Sequence, residues 1–247
     1  MTDAAVVPEG QGLSQIERVV DTFVAPSKTF NDILRSANCW LPMILMFVMI
    51  VGWCFSIDKT VGFEAATETQ IAKSPKQEEA MQGLPATERA QRMALTVKIT
   101  RILTYCSMIF VVIFMLIEVL IMWGAFNFGL GASTKFSQVF AVVAFAGLPR
   151  ALIWVLSSIF LFAGVGADNF DLRNPVGTNL GFYLADSAKW MSTAGQFFDV
   201  LGLWSLALII IGMAVISKKK ISQSATIILG LWVLILLIVT GFSAAFS

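Results

Sequence analysis

Five uninterrupted apolar runs dominate this chain, near residues 40–57, 102–128, 138–166, 198–216 and 225–246. A helix of about 20 such residues crosses the hydrocarbon of a bilayer. No water reaches that layer to satisfy the backbone, so a spanning segment there must be helical or belong to a closed barrel. Runs of this length predict an all-α integral membrane protein with five transmembrane helices. The charge content agrees: 13% of residues are charged, where soluble domains run near a quarter.

The flanking sequence divides the chain into a cytoplasmic N-terminal segment, 1–39, and a five-span membrane domain, 40–247. No apolar core precedes residue 40, so no cleavable signal is expected and the first span is expected to serve as an internal one. Within 1–39, "LSQIERVVDTFV" reads as a short amphipathic helix. Ser14 and Glu17 form an S-x-x-E capping box, and Leu13, Ile16, Val19, Val20, Phe23 and Val24 share one face. Pro26 breaks it, and "SKTFNDILR" repeats the pattern with Phe30, Ile33 and Leu34. Two readings stand for this pair: helices lying in the membrane interface, or helices packed on the cytoplasmic ends of the spans. Trp40 and Pro42 then mark the start of span 1.

The segment 58–101 is the one large hydrophilic connection, with seven Lys/Arg and six Asp/Glu. From Thr87 onward it is expected to be helical and to run unbroken into span 2. A solvated, charge-mixed helical arm is its ordinary reading, and a docking surface for a partner is its sharper one. "GLGASTK" (129–135) makes spans 2 and 3 an antiparallel hairpin, and an aspartate-bearing connection, 167–196, follows span 3. Lys218, Lys219 and Lys220 in a very short loop are a topology signal. They place the N-terminus in the cytoplasm and the C-terminus outside, although the basic residues of 58–101 oppose that assignment.

Several chemistries lack their residues. Histidine is absent, which removes the commonest general base and metal ligand together. Cys39, Cys54 and Cys106 show no CxxC spacing and read as apolar residues in or beside spans. "DNFD" with Asp168, Asp171 and Asp186 matches no EF-hand loop. No P-loop, G-x-S-x-G or H-E-x-x-H occurs. A net charge of +1 offers nucleic acid no basic surface. No enzyme activity, cofactor or metal is expected.

Two charges interrupt the apolar runs: Glu118 in "IFMLIEVLIMW" and Arg150 in "AGLPRALIWVL". Thr134 lies sixteen residues from each, so an antiparallel hairpin places them at one depth. An unpaired ion there costs at least ~2.5–3.5 kcal/mol on insertion scales, and an arginine–carboxylate pair removes most of that cost. Around Arg150, the face Ala146, Gly147, Ser157 and Gly164 is small or polar, as at helix–helix contacts. Pro149 predicts a kink, and Trp154 is placed to stack on the guanidinium. An intramembrane ion pair of Glu118 with Arg150 is the expected site. Asp199, near the start of span 4, is a further polar contact.

Several stretches in order resemble the Yip1-domain family, in its bacterial branch. They are "FVAPSKTFNDI" (23–33), "WLPMIL" opening span 1, "AGLPRAL" in span 3, "NFDLRNPVGTNLG" (169–181) and "FDVLGLWSLALIIIGMAVISKKKIS" (198–222). The resemblance runs from about residue 20 to the C-terminus. It implies a cytoplasmic N-terminus, five transmembrane helices, no catalytic centre and a place in the bacterial inner membrane. Eukaryotic members bind small prenylated GTPases. Their D-L-Y-G-P stretch is missing here, and "GLPR" stands where they carry a Gly-Tyr motif, so a small-GTPase partner does not carry over. The function expected is a non-enzymatic membrane scaffold or accessory subunit, whose partners are the lipid bilayer and another integral membrane protein or a second copy. The alternative is a transporter or channel component with a polar path at Glu118 and Arg150.

Overall fold

The computed structural model describes residues 12–167 and 170–245. Five of its helical segments are long and apolar enough to cross a membrane: Trp40–Lys59, Ser107–Gly129, Phe136–Phe162, Val200–Ser217 and Ile221–Ala245. In chain order the helices are α1 (Gln15–Val24), α2 (Pro26–Arg35), α3 (Trp40–Lys59), α4 (Phe63–Ala72), α5 (Pro75–Gln82), α6 (Ala86–Tyr105) and α7 (Ser107–Gly124). After them come α8 (Phe136–Ala146), α9 (Leu148–Phe162), α10 (Leu180–Tyr183), α11 (Lys189–Gln196), α12 (Val200–Ser217) and α13 (Ile221–Ala245). No strand occurs among the described residues; an isolated bridge joins Asn179 to Asp199.

Two features depart from or refine the sequence expectation. The arm helix does not run unbroken into span 2: a turn at Cys106 separates α6 from α7. The Cys106 N–H still donates to Ile102 at 2.9 Å, but the Ile109 N–H reaches back only three residues, to Cys106. Span 3 breaks at Gly147, with Pro149 in the first turn of α9. Proline has no N–H to continue the ladder but is tolerated at a helix start, so the break falls just ahead of it.

Contacts divide the chain into two units. The first comprises 1–43, 115–147 and 205–231. Its N-terminal helices realise the capping box: the Ser14 hydroxyl accepts from the Glu17 N–H, and the Glu17 carboxylate accepts from the Ser14 N–H at 2.7 Å. That backbone hydrogen bond holds the Glu17 carboxyl below its ordinary range. The pair packs on α8, yet its two members use opposite faces. α2 buries Phe30 and Ile33, and the Phe30 ring lies over Gly212, beside Val142. α1 instead buries Arg18 and Thr22. Its apolar stripe faces out, with Ile16, Val20 and Val24 exposed by 70%, 53% and 73%. α2 turns its apolar face to α8, and α1, which also touches α8, turns its own outward, as an interfacial helix would.

In the same unit a π-helical turn, Ala125–Gly129, ends span 2. The Asn127 side chain both donates to the Thr134 carbonyl and accepts from its N–H and hydroxyl, while the Trp123 indole donates to that carbonyl at 3.0 Å. Four hydrogen bonds thus close the connection to α8 and satisfy a buried threonine.

The second unit comprises 44–114, 148–204 and 232–247. Its core gathers Ile50, Trp53, Cys54, Ile57, Phe63, Ala66, Leu161 and Phe170, which joins span 1, the arm and α9 to the connection after it. The Trp53 indole donates to the Ser157 hydroxyl at 2.8 Å, and Ser56 lies 3.2 Å from Ser158. Of the small and polar face expected around Arg150, Ser157 makes this helix–helix contact.

Farther along, α10 and α11 meet backbone to backbone: a Cβ on Gly195 would lie 2.6 Å from the Gly181 nitrogen. Backbone cannot yield there, so Gly195→Ala is expected to destabilise this connection by about 1–3 kcal/mol. Limited proteolysis within 167–196, which should quicken in the variant, measures it; an unchanged digestion rate would refute the close packing.

Candidate functional site

The polar side chains of the connection after span 1 join its helices to one another and to the spans. The arm is fixed at its base by Asp58, at the end of span 1. That carboxylate accepts from Arg101 at 2.8 Å and from the Tyr105 hydroxyl at 2.7 Å. The Arg101 guanidinium also lies over the Phe63 ring at 6.0 Å. Lys73 pairs with Asp171 at 3.0 Å and ties α4 to the 167–196 connection. At the distal end Arg89 donates to the carbonyls of Met81, Gln82 and Leu84. A cation there satisfies the orphan acceptors at the end of α5 and suits its dipole.

α4, α5 and α6 enclose two open grooves. The first, about 210 Å³, is floored by Ile71, Ala72, Met81 and Met93 and rimmed by Glu68, Glu78 and Arg89. The second, about 380 Å³, lies along Ala90, Met93, Ala94 and Val97 beside Glu64. The other side of α6 carries Leu95, Ile99 and Ile102, exposed by 58%, 47% and 52%. Over its twenty residues α6 buries none. Leu95 is seven residues before Ile102, where the apolar run of span 2 begins, and at 1.5 Å rise per residue that places it ~10 Å ahead of that run.

The site residues expected from the sequence have separate fates. Glu118 is half-buried on α7, and Arg150 is exposed on α9. Trp154 packs against the core around Trp53, and its carbonyl accepts from Ser158 at 2.8 Å. Asp199 accepts from the Thr178 hydroxyl and from the Gly202 N–H, so it joins the preceding loop to the start of span 4. Lys218, Lys219 and Lys220 form the turn between α12 and α13, with Lys218 in the left-handed region at φ +55°. Asp171 is held by Lys73, and Asp168 lies outside the described residues. Among the described residues no three of His, Cys, Asp and Glu converge to hold a metal ion.

The sequence reading missed a buried ion pair. Arg18, 1% exposed, donates through Nε to Asp32 at 2.6 Å and through Nη1 to the Asn38 carbonyl at 2.8 Å. Its own carbonyl accepts from the hydroxyls of Thr22 and Thr29. One residue thereby joins α1, α2 and the linker to span 1. Burial works to raise the Asp32 carboxyl, but the hydrogen bonds from Arg35 and Arg18 and their charges outweigh it and hold the group below its ordinary range.

Five apolar helices, charge confined mainly to the connections and a polar arm define an integral, multi-pass membrane protein. The family model for the Yip1 domain matches residues 20–243, nearly the whole chain. This chain belongs to the Yip1-domain family. No curated protein and no solved structure matches it.

Proposed function

We propose that this chain is a non-enzymatic membrane scaffold or accessory subunit of the bacterial inner membrane, with its N-terminus in the cytoplasm and its C-terminus outside. The observation that carries the reading is α6. It is a helix of twenty residues with none buried, and its apolar stripe continues past the membrane span. Short helices owe most of their stability to packing of an amphipathic face, and exposed apolar patches outside lipid mark interaction sites. The triple-lysine turn supports the orientation.

Gentle extraction of the tagged, full-length protein from its native membrane, followed by native sizing and mass spectrometry, tests this. The expected result is a stoichiometric assembly that survives extraction. A lone monomer without bound protein would overturn it. The second reading, a transporter component with a polar path, is favoured by the two ionisable residues inside spans, Glu118 and Arg150.

A further inference from the structure

We propose that the hairpin of α10 and α11 lies in the bilayer interface and not in water, with the exposed apolar side of α11 against lipid. This holds with or without a protein partner, so it goes beyond the assembly reading above.

Contacts to span 5 fix the depth of the hairpin. The Thr193 and Ser243 hydroxyls share a hydrogen bond of 3.0 Å. Phe197 and Phe198, just past the end of α11, set their rings against Trp232, with centroids 6.1 and 5.5 Å away. Trp232 and Ser243 are eleven residues apart on α13, so the chain from Thr193 to Phe198 runs beside ~16 Å of that helix. Over the same stretch α13 exposes Val233, Leu234, Ile235, Leu237, Ile238 and Phe242. These occupy more than half of its circumference, and a helix so widely apolar on its exposed surface belongs in a membrane. α11 therefore descends from the end of span 5 into the lipid that surrounds it.

The surface of the hairpin suits that layer. At about 3.6 residues per turn, Trp190, Met191 and Ala194 share one side of α11, and Lys189 and Gln196 share the opposite one. Trp190 and Met191 are exposed by 45% and 38%, and Lys189 and Gln196 are exposed as well. A helix that shows one apolar and one polar side is built to lie in the interface. Ser192 and Gly195 turn toward α10, where the Ser192 hydroxyl donates to the Gly181 carbonyl at 3.2 Å. The two charges of the hairpin, Asp186 and Lys189, sit in and beside the turn between its helices. Tyr183 and Trp190 flank that turn, as aromatic rings do where a chain leaves hydrocarbon for headgroups.

Spin labelling of the full-length protein, reconstituted in vesicles of phosphatidylethanolamine and phosphatidylglycerol, tests this. Cys39 and Cys106 are replaced by serine, and Cys54, which is fully buried, stays. Labels at Met191→Cys and at Leu237→Cys, on the exposed side of span 5, should meet dissolved oxygen in preference to a water-soluble nickel chelate. A label at Asp186→Cys should do the reverse, with the oxygen-to-nickel ratio at 191 about threefold or more above that at 186. Trp190→Phe supplies a second readout without a cysteine. In vesicles whose lipid chains carry bromine close to the headgroups, it should reduce the quenched part of the tryptophan emission.

A label at 191 as open to nickel as the label at 186 would put the hairpin in water and overturn the proposal. One closed to both reagents would overturn it as well, by showing that protein covers that side. Were Met191→Cys to misfold, quenching left unchanged by Trp190→Phe would decide against lipid in its place.

Discussion

Arg18→Ala will release the N-terminal helical pair from the rest of its unit while leaving the five spans inserted. Removing one partner of a buried ion pair strands the other, at a typical cost of about 3–5 kcal/mol. Arg35, which donates to Asp32 at 2.9 Å, holds the loss near the lower end. Cys39 reports the change, because burial pushes its thiol above the ordinary range and keeps it slow to react. Maleimide labelling of Cys39, with Cys106 replaced, should accelerate at least tenfold in the variant. Arg18→Met with Asp32→Leu should label more slowly than Arg18→Ala, because no buried charge is left alone. Equal labelling in all three proteins would refute the role given to Arg18. The pair also sets a pH dependence. Since the Asp32 carboxyl is lowered in the folded state, its contribution is complete above the unfolded carboxylate range near pH ~4 and is lost as pH falls through the lower, folded value. Labelling should therefore be flat from pH 6 to 8 once corrected for thiol ionisation, and docking should loosen only in acid.

Asn127→Ala is expected to destabilise the connection between span 2 and α8 by about 1–3 kcal/mol, because it removes three of the four hydrogen bonds that hold the buried Thr134 and leaves its N–H without that acceptor. Asn127→Asp, which keeps an acceptor for the Thr134 N–H and hydroxyl but loses the donor to its carbonyl, should cost less. Thermal melting of the three proteins in one detergent measures this, and equal melting would refute the role given to Asn127. Separately, a Glu118→Gln/Arg150→Gln variant that melts normally but loses solute flux in vesicles would favour the transporter reading.

The spans were legible because their signal is composition over some twenty residues, which no tertiary contact overrides in lipid. Element boundaries shifted by a few residues, and the break at Cys106 left no mark because neither glycine nor proline stands there. The direction of α1 was harder. An amphipathic stripe shows that a helix has two faces, not which one meets protein, and here the polar face turns inward because Asp32 and Asn38 await Arg18. One signal was nevertheless present. Arg18 and Asp32 lie seven residues either side of Ala25, the junction of α1 and α2, and the same reflection about a turn singled out Glu118 and Arg150. The arm's internal clamps were not legible: Arg89 binds backbone carbonyls, which carry no residue signature, and Asp58 finds Arg101 across forty-three residues.

The contact of Phe30 with Gly212 has a consequence in time. The ribosome makes α2 about 180 residues before the glycine on which its ring rests, and at roughly 5–20 residues per second that interval is some ten to forty seconds. For the first part of that period α2 has only what precedes α8 to meet, and after α8 is made it still lacks the glycine on α12 over which the Phe30 ring lies. Docking of the N-terminal pair is thus completed among the last events of synthesis, and a chain stalled before span 4 would leave Phe30 without part of its packing surface.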